Sequence, residues 1–131
     1  MRFPRRIDAL SSLFDFSRGF YAASGIDGEQ RSNADFILEE IFTNQVKYNA
    51  GGAGEIEVGL RVAENVLEIS VTDFDSERFD LREAEEVDVN AALNDRKPGG
   101  LGIHLVKKFA KRIDYDYVDR KSTAIIYFDL G

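Results

Sequence analysis

Hydrophobic and polar residues follow two different periods along this chain, and each period predicts one kind of secondary structure. Apolar residues recur at helical spacing from about Ile7 to Ala23, and again from roughly Glu29 to Asn49. A third helical run, Leu101 to Arg112, begins directly after a glycine-rich stretch. The pattern therefore predicts three amphipathic helices, the second of which is stopped by the sequence NAGGAG in the manner of a glycine C-cap.

Strict alternation of apolar and polar residues predicts the strands. The segments EIEVGLRV and VLEISVTDF each place their aliphatic side chains on one face, and the short link AEN between them favours a hairpin. Near the C-terminus, DYDYVD and TAIIYFDL are joined by RKS and predict a second pair of strands. Residues 1 to 7 predict a short edge strand, so the element order is β-α-α-β-β-loop-α-β-β.

This element order predicts the fold class. Strands adjacent in sequence can pair antiparallel, and the helices are expected to cover one face of a mixed, mostly antiparallel sheet, which gives an α/β (α+β) two-layer sandwich. The length suits one domain and no internal repeat is evident, so residues 1–131 are interpreted as a single domain. Residues 75 to 97 are acidic and weakly periodic, which predicts a long loop with a functional role.

Composition and charge narrow the classes of function. The net charge is −7, whereas a domain that neutralises nucleic-acid phosphates is normally basic, so we expect no direct nucleic-acid binding. The lack of cysteine excludes a disulfide framework and a cysteine nucleophile, and the single histidine argues against a zinc site. No apolar run reaches the roughly 18 residues of a membrane span and no signal peptide is recognisable, so we expect no membrane contact and a cytoplasmic protein.

The stretch GGLG, residues 99 to 102, is open to two interpretations. It can be a flexible entry to the third helix, because it lacks the ending of a P-loop and the third glycine of the dinucleotide fingerprint. It can also be a phosphate site, because residues without Cβ let backbone N–H groups approach an anion at the positive end of a helix. In that case Gly100 and Gly102 are the main contacts, and Gly99 is the hinge of the preceding loop.

The segment LEEIFTNQVKYN offers partners for such a phosphate. Glu40 and Asn44 lie four residues apart and Lys47 continues the line, so all three are expected on one side of the second helix. Oxygen donors stacked in this way suit Mg²⁺, and a carboxylate beside the ion can accept a proton from an attacking hydroxyl. The alternative is an ordinary solvated helix face. At the end of a predicted strand, Asp73 can accept a hydrogen bond from an exocyclic amine such as that of adenine, or simply form a turn.

Taken in order, these segments resemble the GHKL ATPase superfamily, which includes gyrase-type, histidine-kinase-type and mismatch-repair ATP domains. The resemblance is closest to its small stand-alone branch, the anti-sigma factor serine/threonine kinases. The N box of that branch is matched by EEIFTNQVKYN, the first glycine box by VTDFDSERFD and the second by GGLGIHLVKKF. The likeness runs from about residue 30 to the C-terminus and implies the GHKL-type ATP-binding fold.

The resemblance implies a role for each matched position. Glu40 would be the catalytic base, Asn44 the Mg²⁺ ligand and Lys47 a neighbour of phosphate. Asp73 would hold the adenine amino group, and Thr123 would lie beside the adenine. The phosphates would be cradled by the second glycine box, Gly99, Gly100, Leu101 and Gly102. The implied cofactors are therefore ATP and Mg²⁺.

The resemblance also places an ATP lid at residues 80 to 98, and it shows one departure in the first glycine box. Where that box normally has glycine this chain has Asp75, and Glu77 adds a second negative charge close by. At 4 Å in a surface-like dielectric, such a charge repels a nucleotide by on the order of a few kcal/mol. Weakened ATP binding is therefore expected.

Two hypotheses about function follow. The first is a serine/threonine protein kinase that phosphorylates an anti-sigma factor antagonist of the STAS type and sequesters a sigma factor; homodimers are common in the resembled branch. The second is a non-enzymatic regulatory binding module with a degenerate ATP site. A detached ATP-binding half of a histidine kinase is disfavoured, because the single histidine, His104, lies inside the predicted phosphate-site helix and cannot serve as a phosphoacceptor on a dimerising helix.

Overall fold

The computed structural model describes residues 1–49, 51–83 and 100–131, and these ranges contain five strands and three α-helices. In chain order they are β1 (Arg2–Phe3), α1 (Leu10–Ser24), α2 (Gly28–Tyr48), β2 (Ile56–Ala63), β3 (Val66–Asp73), α3 (Gly100–Phe109), β4 (Arg112–Val118) and β5 (Lys121–Asp129). The predicted succession of strands and helices is confirmed. None of the helices in these ranges combines the length and apolar character needed to cross a membrane.

The described strands form one sheet in the order β1-β2-β3-β5-β4, and every neighbouring pair is antiparallel, so the sheet is not mixed. Two-residue turns close both hairpins: Glu64 and Asn65 join β2 to β3, and Asp119 and Arg120 join β4 to β5. The second turn therefore begins one residue before the predicted RKS. All four turn residues have positive φ, between 48° and 67°. Such dihedral angles define type I′ turns, whose twist matches that of the strands they join.

One hydrophobic core lies between the helices and the inner face of the sheet. Along β3, Leu67, Ile69 and Val71 are buried on this face, because successive side chains of a strand point to opposite sides. The helices and β1 contribute large side chains that are almost completely buried, namely Tyr21, Phe3, Phe42, Leu13, Ile37 and Leu38. Burial of each contributes roughly 1.5–3 kcal/mol, so this packing sets how α2 lies on the sheet.

Helix α3 ends at Phe109, short of the predicted Arg112. The backbone N–H of Lys111 already donates to the carbonyl of Tyr127 at 2.7 Å. The guanidinium of Arg112 lies over the Tyr127 ring, 4.2 Å from its centroid, and opens β4. Pairing with β5 therefore overrides the helical tendency of these basic residues.

The first type I′ turn yields a prediction about stability. Glu64 has φ of 51°, a left-handed conformation that costs most L-residues about 1–2 kcal/mol, whereas asparagine tolerates it well. Glu64→Asn should therefore raise the free energy of unfolding by about 0.5–1 kcal/mol in urea denaturation. Glu55→Asn removes the same charge from another exposed position. An equal gain in both variants would show that charge, and not turn conformation, is responsible.

Candidate functional site

Helices α2 and α3 come into direct contact where Glu40 meets Gly102. A Cβ atom at position 102 would overlap the carboxyl group of Glu40, so this carboxyl group can keep its position only beside a glycine. Gly102 belongs to the first turn of α3, whose N–H groups have no partners within the helix and carry partial positive charge. The carboxylate on α2 and the start of α3 therefore share one place, as the phosphate-site interpretation of the glycine stretch requires.

A pocket lies beside this contact. Its polar lining comes from Asn44 and Gln45 on α2, Asp73 at the end of β3, Tyr115 on β4 and Ser122 on β5. Its apolar lining consists of Ile41, Val71, Phe79, Leu81, Ile103 and Ala124. An apolar cleft with a few convergent polar groups is the usual form of a small-molecule site. Three separate segments that the sequence singled out thus border one space.

Asn44 is suited to hold a metal ion, provided that other ligands accompany it. Its side chain is buried at the pocket wall, and its carboxamide has no hydrogen-bond partner among the described residues. No group of three or more His, Cys, Asp or Glu in the described ranges could hold a metal ion by itself. A cation at Asn44 would therefore need oxygens from a bound molecule, which is how Mg²⁺ commonly binds with phosphates.

Glu40 is half-buried, and this changes its acidity. Burial raises the pKa of Glu40, the neighbouring Glu39 raises it further, and Lys47 partly offsets both. A carboxylate with a raised pKa is a better proton acceptor near neutral pH. Lys47 is exposed in the last turn of α2 and does not line the pocket, so its described role is electrostatic.

Asp73 is 1% exposed, and its two carboxylate oxygens accept five hydrogen bonds. The donors are Nη1 and Nη2 of Arg5 (2.6 and 2.5 Å), Nε2 of Gln45 (2.5 Å), Nδ2 of Asn49 (3.4 Å) and the backbone N–H of Asp75 (2.9 Å). A carboxylate offers about four acceptor positions, so Asp73 has none left for a ligand in this conformation. Burial alone would raise the pKa of Asp73, but the bonds from Arg5, Asp75 and Gln45 outweigh it and hold that pKa below its usual range.

The side chain of Arg5 is buried between Asp73 and the segment that precedes β2. Its side chain is 6% exposed, and Nη2 also donates to the carbonyl of Ala53 at 3.0 Å. A Cβ atom on Gly52 would come within 2.9 Å of the Arg5 Cζ, so a larger residue at 52 would crowd the guanidinium. Removing one partner of such a buried pair typically costs about 3–5 kcal/mol, because the other charge is left uncompensated.

Asp75 was expected to place its negative charge towards a nucleotide, but it does not line the pocket. Its Oδ2 accepts the backbone N–H of Ala53 at 2.6 Å, and its Oδ1 accepts Nε of Arg120 at 2.7 Å. The bond from Ala53, followed by that from Arg120, keeps the pKa of Asp75 below its usual range. The departure from the glycine box is therefore a structural clamp, and the expected repulsion of a nucleotide is largely neutralised by these partners.

Two tyrosines of β4 hold the residues that follow β3 against the sheet. The hydroxyl of Tyr117 donates to the carbonyl of Ser76 at 2.9 Å, and the backbone N–H of Phe79 donates to the hydroxyl of Tyr115 at 3.0 Å. Since Phe79 and Tyr115 both line the pocket, these bonds shape one of its walls. Beyond them, residues 81–83 form a short 3₁₀ turn at the start of the predicted lid.

The remaining predicted site residues divide into three groups. The backbones of Gly100 and Leu101 open α3 beside Gly102, as predicted. Gly99 and residues 84–98 of the predicted lid lie outside the described residues. Thr123 is not brought to the pocket, because its hydroxyl pairs with that of Thr72 at 3.3 Å on the opposite face of the sheet. Ser122 takes the pocket position, since neighbouring strand residues face opposite sides.

Sequence reasoning missed Arg5, Gln45, Asn49 and Gly52. Gln45 and Asn49 lie four residues apart on α2, so helical periodicity could have placed both beside the end of β3. Gly52 lay in a stretch that was read only as a helix stop. No local pattern connects Arg5 with Asp73, because the two residues are 68 positions apart.

Comparisons with known proteins bear on the family and on the fold. Residues 3–128 match the family model described as histidine kinase-like ATPase domain. The comparison with curated proteins gives no match. Among solved structures, the fold is similar to that of the histidine kinase AdeS from Acinetobacter baumannii, with 15% identity and a TM-score of 0.52 over 78% of this chain and 48% of that one.

At this low identity the structural likeness shows the fold alone, and the chain spans about half the length of that kinase, 48%. The match to the family model is different in kind, because it extends over nearly the whole sequence, from residue 3 to residue 128. It also agrees with the resemblance inferred from the N box and the glycine boxes, at the level of the superfamily. The chain therefore belongs to the histidine kinase-like ATPase domain family.

Proposed function

We propose that this chain is an ATP-dependent serine/threonine protein kinase of the anti-sigma factor type. Membership of the family implies ATP as the ligand. The metal would be Mg²⁺, the phosphoryl acceptor a STAS-type anti-sigma factor antagonist, and the sequestered partner a sigma factor. One observation carries the site assignment: Glu40 meets the start of α3 next to a pocket lined by Asn44.

This arrangement supplies what phosphoryl transfer needs, which is positioning and stabilisation of charge. The first turn of α3 offers N–H groups to phosphate oxygens. The carboxamide oxygen of Asn44, which no described residue occupies, is the expected ligand for Mg²⁺. When bound, Mg²⁺ would offset the negative charge of the phosphates. Glu40 stands beside these groups, where it can orient a substrate hydroxyl.

The transfer step assigns the proton to Glu40. The hydroxyl oxygen of the acceptor serine forms a bond to the γ-phosphorus, while the bond from that phosphorus to the bridging oxygen breaks and ADP leaves. The hydroxyl proton passes to the Glu40 carboxylate, whose burial makes it a stronger base than an exposed glutamate. Phosphorylation would release the antagonist and leave the sigma factor bound to this chain.

The role of Asn44 can be tested through metal-dependent nucleotide binding. Asn44→Ala should weaken ADP binding at least about tenfold in the presence of Mg²⁺ and much less in its absence, because only the metal-mediated contact is lost. Isothermal titration calorimetry measures both conditions. Asn33→Ala, near the other end of α2, is the matched control. An Asn44→Ala isotherm that equals the wild type with Mg²⁺ would contradict the assignment.

The role of Glu40 can be tested with its neighbour as control. Glu40→Gln should lower the rate of phosphoryl transfer to the antagonist by about 100-fold or more, because the proton acceptor is lost, while ADP affinity changes little. Glu39→Gln makes the same chemical change at an exposed position of the same helix and should retain activity. Equal rates in the two variants would rule out the proposed base.

The raised pKa of Glu40 also predicts a dependence of stability on pH. Ionising this half-buried carboxyl opposes folding, and the cost is absent below the unfolded-state pKa of about 4.3 and complete above the raised folded-state value. Glu40→Gln should therefore raise the free energy of unfolding at neutral pH, and this gain should vanish as the pH falls towards 4. Urea denaturation at several pH values measures it. A gain of constant size at every pH would contradict the prediction.

A second candidate function is a regulatory binding module that has lost nucleotide binding. One observation favours it: the carboxylate of Asp73 is filled by protein donors, chief among them Arg5, in the place where the resemblance puts the adenine amino group. Titration with ATP and Mg²⁺ separates the two candidates. Absence of binding at millimolar concentration would leave partner binding as the function and remove the kinase proposal.

A further inference from the structure

In the pocket, donors of the protein and the amine of a bound adenine would compete for the same carboxylate, that of Asp73. An adenine amine would donate a hydrogen bond to Asp73, yet every acceptor position of this carboxylate is already used within the chain. Two of the five bonds come from one side chain, Arg5. The others come from α2 and from the backbone of Asp75, which are parts of the pocket wall itself. Arg5 is the donor whose departure would free the most acceptor capacity.

We infer that Arg5 is an intramolecular latch that competes with the nucleobase amine for Asp73 and thereby sets the nucleotide affinity of the site. The inference rests on the proposed function, because it assumes that the pocket takes an adenine nucleotide. The latched state is the one observed, with both terminal nitrogens of Arg5 on the two oxygens of Asp73. A hydrogen bond from the adenine amine to Asp73 requires Arg5 to withdraw.

The Arg5 guanidinium occupies a well-defined binding site within the protein, unlike the partners of a chance surface ion pair. Ala53 offers its carbonyl to Nη2 of Arg5, and the absence of a side chain at Gly52 leaves room for the guanidinium. Both members of the pair are almost completely removed from solvent, with 6% and 1% exposure. Paired charges with several further hydrogen bonds hold such a geometry firmly.

The same binding site has features that allow Arg5 to be released from Asp73. Nε of Arg5 is buried without a hydrogen-bond partner among the described residues, so the latched arginine is incompletely satisfied. The carboxylate of Asp75 lies near Arg5, although its oxygens already accept bonds from the N–H of Ala53 and from Nε of Arg120. An Arg5 side chain that leaves Asp73 therefore stays close to a carboxylate without forming a second buried ion pair.

The backbone around Arg5 can stay in place during this exchange. Phe3 anchors β1 in the core, with its ring 6.4 Å from that of Phe42 and 5.8 Å from that of Phe16. Pro4 and Arg6, on either side of Arg5, are exposed. A rotation of the Arg5 side chain is therefore enough to open the site, and opening does not require the sheet to separate.

The test compares nucleotide affinities of Arg5 and Arg6 variants. Arg5→Met keeps an unbranched apolar stem and removes the guanidinium; Arg6→Met makes the same change at an exposed neighbour. Calorimetric titrations with ADP and with IDP, each with Mg²⁺, distinguish the base contact from a general effect. ADP carries an exocyclic amine that can donate a hydrogen bond to Asp73. IDP carries a carbonyl oxygen at that position, which cannot donate one.

The latch predicts a gain for ADP only. If the open site is populated in about one molecule in ten or fewer, Arg5→Met should tighten ADP binding at least about tenfold and leave IDP binding within about threefold. Arg6→Met should behave as the wild type. Arg5→Lys keeps a positive charge opposite Asp73 but loses the two-pronged bond, so it should fold and give an intermediate gain. This variant keeps the test decisive if Arg5→Met unfolds.

Each adverse outcome has its own meaning. Unchanged or weaker ADP binding in both Arg5 variants, with measurable binding by the wild type, overturns the latch and leaves the proposed function intact. An equal gain for ADP and IDP also overturns it, because the effect would then be electrostatic and not a contact with the base. No binding of either nucleotide by any variant at millimolar concentration removes the proposed function together with the latch.

Discussion

The close approach of α2 and α3 is the constraint on which the rest of the site depends. A glycine at position 102 lets the start of one helix touch a carboxylate of the other, and a side chain there would displace that carboxyl group of Glu40. This contact brings unpaired N–H groups and the half-buried carboxyl group of Glu40 next to a pocket that Asn44 lines. The glycine therefore keeps the carboxyl group of Glu40 against the first turn of α3.

The acceptor positions of Asp73 that stabilise the fold are the same positions that a bound nucleotide would need. A buried carboxylate must be compensated, and in this chain Arg5, Gln45 and Asn49 supply the compensation. A nucleotide would have to offer comparable bonds in exchange for those of the protein. Asp75 adds a further link, because its carboxylate binds both Ala53, which precedes β2, and Arg120, which lies in the turn between β4 and β5.

Local patterns were sufficient for most of the fold and for the positions of some candidate site residues. Periodicity identified the strands and helices, and helical spacing correctly placed Glu40 and Asn44 on the side of α2 that faces α3 and the pocket. The resemblance implied a place beside adenine for Thr123, but its side chain lies on the face of the sheet away from the pocket, because neighbouring residues of a strand face opposite sides. Arg5 could not be found from the sequence, since its partner is distant along the chain and nothing in periodicity or turn chemistry encodes an ion pair of that kind.

The distance between Arg5 and Asp73 along the chain has a consequence for folding. Contacts between residues far apart in sequence form only after the loop between them has closed, and here that loop includes α1, α2 and the β2–β3 hairpin. The ion pair therefore depends on prior folding of the segments between its two members. A substitution that weakens α1, α2 or the β2–β3 hairpin would consequently also weaken the link between the N-terminal strand and the end of β3, although it lies far from that link in sequence.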